Sequence, residues 1–132
     1  MFGWQSQHFL HIATEQLAAE VEAARQSGPI LVCDTDALTT SIWHHRYLGH
    51  RSPAVEAMAA GRRYALSVLT GDDIPFVQDG TRDGEHLRHS MTRRFRAELD
   101  QRPDPWIEVR GDPAARLAAA VVAIDALDGA DR

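Results

Sequence analysis

Between residues 30 and 40 the chain runs Ile30-Leu31-Val32-Cys33-Asp34-Thr35-Asp36-Ala37-Leu38-Thr39-Thr40. The first four residues are apolar without polar alternation, which predicts a short strand over 30–33 that is covered on both faces. An acidic, hydroxyl-rich turn follows and leads into a helix. Because ligands in α/β proteins lie at the carboxyl ends of the strands, this turn is the first candidate for chemistry.

The candidate site at this turn consists of two carboxylates and three hydroxyl groups, from Asp34, Asp36, Thr35, Thr39 and Thr40. Such groups can hold a magnesium ion, a sugar hydroxyl or a reacting hydroxyl, whose proton a carboxylate can accept. The structural alternative is that Asp36 caps the next helix and Asp34 is a solvated loop acid. A cap accounts for one acid but not for two beside Thr39 and Thr40, which favours a functional interpretation.

Helices alternate with apolar strands along the rest of the chain. The apolar spacing predicts helices over about 4–26, 36–48 and 53–61, one from Asp83 or Glu85 to about 101, and one from 113 onward. Strands are expected over 30–33, 65–70 and 106–110. This order predicts an α/β fold with a three-stranded parallel sheet and right-handed crossovers. The length of 132 residues predicts one domain over 1–132.

A second candidate site lies in the polar loop over 71–84 and just after it. Its residues are Asp79, Arg82 and Arg88, and Gly80 and Gly84 flank Arg82. The planar guanidinium group suits phosphate oxygens, and flanking glycines suit a segment that closes over a ligand. The alternative is a solvent-exposed loop with a turn glycine.

A basic run follows on the next predicted helix. Arg93, Arg94 and Arg96 lie beside His86 and His89, and we interpret this run as a solvated helix face. The alternative is a second phosphate contact.

The composition excludes several function classes. All 14 basic residues other than histidine are arginines, so the chain acting alone has neither a Schiff-base lysine nor a P-loop lysine. A formal net charge of −5 argues weakly against nucleic-acid binding, and no apolar run approaches the roughly 18 residues of a membrane span. The single cysteine, Cys33, excludes an internal disulfide, lies in an apolar run that predicts a buried, inert thiol, and suits a reducing cytoplasm.

The chain resembles a known family in three short motifs and in the segment from Trp106 to Leu127, with Gly111 and Arg116. The motifs are Leu31 to Asp36 with Thr39-Thr40, then Tyr47-Leu48-Gly49, then Asp73-Ile74-Pro75-Phe76-Val77 with Asp79-Gly80-Thr81-Arg82. In this order they resemble the ribosylnicotinamide kinase half of NadR-type proteins, which belongs to the AAA-like P-loop ATP-binding proteins. The resemblance covers roughly residues 4 to 128.

The resemblance implies a three-layer P-loop kinase fold that transfers the γ-phosphate of ATP, with Mg²⁺, to a ribose hydroxyl of nicotinamide riboside. It implies that Asp34 and Asp36 lie near the substrate ribose or the magnesium ion, with Asp34 as the metal ligand. Arg82 and Arg88 would belong to a lid that neutralises the transferring phosphoryl group. Thr35, Thr39, Thr40 and Asp79 would bind the nucleoside or nucleotide.

The chain departs from this family in one large respect. It has no Gly-x-x-x-x-Gly-Lys pattern and no lysine, so we expect the C-terminal part of such a domain, incomplete at its N-terminus. A truncated gene product, a mis-assigned start codon or a degenerate domain would each explain this. We expect little or no phosphoryl transfer from the chain alone. The alternative function is a non-catalytic interaction module or a degenerate ATPase-like domain, which pairs with a second chain, such as another copy of itself, through an open sheet edge.

Overall fold

The computed structural model describes residues 3–75 and 85–130, and the chain divides into two compact units, residues 1–63 and 64–132. In chain order the described elements are α1 (Ser6–Gln26), α2 (Ala37–Leu48), α3 (Pro53–Ala60), β1 (Ser67–Thr70), α4 (Glu85–Asp100), β2 (Trp106–Val109) and α5 (Pro113–Ala130). The predicted mixed α/β class is confirmed. Within the described ranges, no helix combines the length and apolar character needed to cross a bilayer.

The first unit is a packed group of three helices, in which α1 contacts both α2 and α3 and these contact each other. Its buried apolar side chains are Phe9, Ala13, Ala37, Leu38, Ile42, Val55 and Ala59. Local signals set the helix ends. Ser52 caps α3 by accepting a hydrogen bond from Val55 N–H at 3.3 Å, ahead of Pro53 at the first helical position. Gly49 ends α2 in the left-handed conformation, at φ 77°, that glycine adopts without strain.

One buried polar side chain ties this unit together. His44 on α2 is completely buried, and its Nδ1–H donates to the His50 carbonyl at 3.0 Å. In the neutral ring Nε2 is therefore the acceptor, and it accepts a hydrogen bond from the Ser6 hydroxyl at 2.8 Å. Both ring nitrogens are satisfied, so the imidazole links α1, α2 and the segment after α2.

The second unit contains the sheet, and the sheet has two strands. Strands β1 and β2 are parallel, with Ser67 opposite Trp106 and Thr70 opposite Val109. Helix α5 packs against β2. Buried apolar residues come from α4 and β2, and they are Met91, Leu99 and Val109. The predicted parallel pairing is confirmed for these two strands.

The predicted first strand is wrong. Residues 30–33 are not in a strand, and the side chains of Ile30, Leu31 and Val32 are 51%, 37% and 80% exposed. No backbone hydrogen bond joins Ile30, Leu31 or Val32 to another described residue. An apolar run adopts a stable strand only where a neighbouring strand takes up its N–H and C=O groups, and none does so here. The described residues therefore form a two-stranded sheet and not the expected three-stranded, three-layer arrangement.

Candidate functional site

The acidic turn begins α2, and its hydrogen bonds centre on one carboxylate. Asp36 is the N-cap, and its Oδ1 accepts from the Thr39 backbone N–H at 2.8 Å and from the Thr39 hydroxyl at 2.9 Å. The Thr40 hydroxyl, which is buried, donates to the Asp36 carbonyl at 3.3 Å. Three of the five predicted site residues are thus brought together by the start of one helix. The capping role of Asp36 is shown, and its role toward a substrate stays a prediction.

The two residues before the cap have no such structural role. Asp34 is exposed and makes no hydrogen bond or ion pair with another described residue. Thr35 has φ 63°, and it is the one non-glycine residue in the described chain with positive φ. That conformation is a true outlier for a β-branched residue, and such strain concentrates at functional sites. The turn therefore combines a carboxylate open to solvent with a backbone geometry that local sequence disfavours.

Cys33 adjoins this turn and is partly exposed, so its predicted full burial is wrong. Its surroundings still favour the protonated thiol. Burial is the largest cause that raises the pKa of the Cys33 thiol, and a hydrogen bond with Glu20 is the next largest. The negative charge of Asp36 raises this pKa further. Glu20 is itself buried on α1, with Arg62 Nε 3.6 Å from its Oε2. The raised pKa favours the protonated form of the Cys33 thiol over the nucleophilic thiolate. The predicted inertness of this thiol stays a prediction.

The second candidate site is described only in part. Asp79 and Arg82 lie outside the described residues. Arg88, on α4, is half-buried, and its Nη1 donates to the Ile74 carbonyl at 2.5 Å. It belongs to the second unit, whereas the acidic turn belongs to the first. A phosphate-binding role for Arg88 stays a prediction.

The sequence interpretation missed a charged network at the carboxyl ends of the two strands. We call it the strand-end network, and its members are Asp72, His89, Arg96, Glu108 and Arg110. The His89 Nδ1–H donates to Asp72 at 2.5 Å, and Arg96 holds both oxygens of Glu108, with Nε at 2.5 Å and Nη2 at 2.9 Å. Arg110 reaches Glu108 at 2.6 Å and Asp72 at 3.6 Å. The network interlaces acids and bases from both strand ends and from α4.

The electrostatics of the strand-end network keep both acids ionised. The hydrogen bond from His89, helped by the Arg96 charge, lowers the pKa of Asp72. The bidentate contact of Arg96, together with Arg110, lowers the pKa of Glu108, and the same contact raises the pKa of Arg96. The side chains of Asp72 and Glu108 are only 10% and 14% exposed, whereas those of His89 and Arg110 are 40% and 51% exposed, so solvent still partly screens the contacts of these two bases.

Next to the strand-end network, Arg116 on α5 ties the two strand ends together. Its Nε donates to the Gly111 carbonyl at 2.9 Å, and its Nη2 donates to the Gly71 carbonyl at 3.1 Å and to Asp73 Oδ1 at 2.6 Å. The other oxygen of Asp73 accepts from the Gly111 N–H at 2.7 Å, and this bond lowers the pKa of Asp73. Gly71 has no room for a side chain, because an added Cβ would lie 2.9 Å from Arg110 and 3.0 Å from the Val109 carbonyl.

Part of the strand-end network could have been found from the sequence. Asp72 and Asp73 come after β1 with only Gly71 between, much as Asp34 follows the apolar run at 30–33, and the same rule about strand ends applies to them. The interpretation of the basic run as a solvated face is wrong for Arg96, because its guanidinium group is paired with Glu108. His89 and Arg96 are seven residues apart and so lie on the same helix face, which was the available signal.

The parallel strand pair, with helix α5 packed against β2, makes this a mixed α/β protein. A family model described as an AAA domain matches residues 2–116, and the chain belongs to that family. It is a nucleotide-binding family of the P-loop class whose members generally bind ATP with Mg²⁺. No curated protein and no solved structure matches the chain.

The chain's own residues fit ATP and Mg²⁺ poorly. The P-loop pattern and its lysine are absent from the 132 residues, so the usual phosphate cradle cannot form from them. In the described part of the chain no three His, Cys, Asp or Glu side chains converge in a way that would hold a metal ion. Among the described residues Asp34 therefore belongs to no such group, and its role as a Mg²⁺ ligand stays a prediction.

Proposed function

We propose that the chain is the acceptor-substrate portion of an ATP-dependent phosphotransferase that acts on a ribosyl nucleoside, namely nicotinamide riboside. The observation that carries this proposal is the AAA-family match over residues 2–116, because members of that family bind nucleotides. The acidic turn at the start of α2 supplies carboxylates for a second substrate. The motif resemblance supports the choice of nicotinamide riboside.

In this proposal Asp34 and Asp36 have different roles. Asp36 already accepts two hydrogen bonds from Thr39, so it fixes the turn and the start of α2. Asp34 is exposed, so its carboxylate is the group that faces the ribose hydroxyls and accepts the proton as the hydroxyl oxygen bonds to the γ-phosphorus. In the same step the bond from that phosphorus to the β,γ-bridging oxygen breaks, and ADP leaves. The role of Arg82 and Arg88 toward a phosphoryl group stays a prediction from the motif resemblance.

We expect this chain to bind the acceptor substrate without catalysing phosphoryl transfer. Phosphoryl transfer depends mainly on positioning of the phosphates, and this chain has no lysine to hold them. We therefore expect the purified 132-residue chain to bind nicotinamide riboside but to show little or no kinase activity with MgATP. Robust product formation by the chain alone would contradict the assignment of this chain as only the acceptor portion.

The test is calorimetric titration of the chain with nicotinamide riboside. Asp34→Asn removes a charged acceptor, whose hydrogen bond is worth about 1.5–3 kcal/mol, so affinity should fall at least about tenfold. The matched control is Glu22→Gln, which removes one acidic charge from an exposed site on α1 in the same unit. Undetectable binding by the unaltered chain, or an equal loss in Glu22→Gln, would refute the proposal.

A further inference from the structure

The hydrogen bond between Ser6 and His44 joins an exposed hydroxyl group to a buried imidazole. Ser6 is the first residue of α1, and its Oγ lies 2.8 Å from Nε2 of His44. The His50 carbonyl, 3.0 Å from Nδ1, fixes the ring proton on that nitrogen, so Nε2 keeps the lone pair that faces the hydroxyl. A hydroxyl bonded to a base, with the base oriented by a third group, is the arrangement that activates a serine nucleophile.

The first turn of α1 also supplies donors for a developing oxyanion. The first N–H groups of a helix have no acceptor within that helix, and they carry the positive end of its dipole. The N–H groups of Ser6 and Gln7 bond to no other described residue. Because the N–H of the residue after a nucleophile is a common oxyanion donor, negative charge that develops next to Ser6 Oγ would be stabilised here.

An aromatic surface adjoins the Ser6–His44 pair and indicates the kind of substrate. The rings of Trp4 and Tyr47 are stacked with their centroids 6.1 Å apart, and the two residues are 41% and 49% exposed. The Phe9 ring contacts both this surface and the base, since its centroid is 5.1 Å from that of Trp4 and 5.2 Å from that of His44. Aromatic rings pack favourably on one another, so the surface suits a substrate with an aryl group.

We propose that Ser6 and His44 act as nucleophile and base in the hydrolysis of a small aryl ester. The Ser6 oxygen bonds to the acyl carbon while His44 Nε2 takes the hydroxyl proton. The bond from that carbon to the aryloxide oxygen then breaks, and this oxygen takes the proton from Nε2, so a phenol leaves and the ring is neutral again. Water next attacks the acyl carbon and gives a proton to Nε2, and the Ser6 oxygen leaves with that proton as the carboxylic acid is released. This inference is independent of the proposed phosphotransferase function.

The test is covalent labelling of the full chain by a phenyl-bearing fluorophosphonate, from which the Ser6 oxygen displaces fluoride. We expect one label per chain, located on Ser6 by mass spectrometry of the peptides, and no label in Ser6→Ala. Ser6 is exposed, so its replacement leaves the packing of the unit intact. His44→Asn keeps a donor for the His50 carbonyl but has no base. Labelling of this variant should be at least about a hundredfold slower, with circular dichroism as the check that it is folded.

Two further variants distinguish this site from general serine reactivity. Ser27→Ala is the matched control, because Ser27 is an exposed serine just after α1 whose hydroxyl donates to the backbone carbonyls of Ala24 and Gly28 and not to a histidine. Its labelling should equal that of the unaltered chain. Tyr47→Ala removes part of the aromatic surface and should raise the reagent concentration for half-maximal labelling rate about three- to tenfold. An unlabelled chain, a label on another residue, or an equal rate in His44→Asn would overturn the proposal.

Discussion

The cap of α2 by Asp36 allows the structural and chemical roles of the acidic turn to be measured separately. Replacement by alanine removes both bonds that Asp36 Oδ1 accepts from Thr39. Loss of an N-cap costs about 1 kcal/mol, and loss of a negative charge at the N-terminus of a helix costs a further ~0.5 kcal/mol. We expect Asp36→Ala to lower the free energy of unfolding by about 1.5 kcal/mol in total, as the sum of these two effects.

Asparagine is the informative replacement at this position. Its side-chain oxygen accepts the same bonds and it caps helices as well as aspartate does, so only the charge term is lost. Asp36→Asn should therefore cost about 0.5 kcal/mol. For a unit of this size, the melting temperature should fall by about 9 °C for alanine and by about 3 °C for asparagine.

The assay is urea and thermal denaturation followed by circular dichroism at 222 nm, with Asp34→Ala as the matched control. Asp34 is an acid on the same turn that bonds to no other described residue, so its removal should change stability by less than about 0.5 kcal/mol. The reasoning is refuted if Asp36→Asn lowers the free energy of unfolding as much as Asp36→Ala does, because the charge rather than the cap geometry would then stabilise α2. It is also refuted if Asp34→Ala is as harmful as Asp36→Ala.

Three other measurements test the remaining features of the fold. Thr35→Asn should raise the free energy of unfolding by about 1 kcal/mol in urea titrations, because asparagine tolerates positive φ better than a β-branched residue; Thr35→Val should give no gain. Stability should fall as the pH drops below the ordinary pKa values of 3.8 for Asp72 and 4.5 for Glu108, since both folded-state pKa values are lowered and protonation removes their ion pairs. In Asp72→Asn the free energy of unfolding should fall less between pH 6 and pH 3 than in the unaltered chain. An equally steep fall would contradict the conclusion that Asp72 contributes to this pH dependence. His44→Leu should lower the free energy of unfolding by about 2 kcal/mol, measured in thermal melts, because it removes the two hydrogen bonds of a fully buried ring at about 1 kcal/mol each. A near-neutral effect would show that water replaces the imidazole.

The helix boundaries could be predicted because their signals are local. Ser52-Pro53 and Gly49 act through bonds and dihedral angles within a few residues of themselves, so a sequence pattern contains all the information. The parallel pairing of β1 and β2 was also accessible, because a helix lies between them along the chain and such crossovers join parallel strands.

The strand predicted over 30–33 failed because strand formation is not a local property. The apolar composition of Ile30–Val32 is that of a buried strand, but composition cannot supply the neighbour that would take up its backbone groups. The strand-end network was missed for a related reason. Apart from the local pair of Glu108 and Arg110, its contacts join residues 12 to 38 positions apart, such as Arg96 with Glu108 and Asp72 with Arg110. Pairing over such distances is decided by the fold.

The residues of the acidic turn contribute differently to stability, and this difference bears on the function of the turn. Asp36 is accounted for by the fold, because a helix start needs an acceptor for its unpaired N–H groups. Asp34 is not accounted for, since it adds no contact to the described structure and follows directly on an exposed apolar run. Thr35 between them adopts a conformation that costs stability. Stable folds keep such local conflicts mainly where function requires them, so the part of the turn that contributes least to stability is the part on which a substrate should be sought.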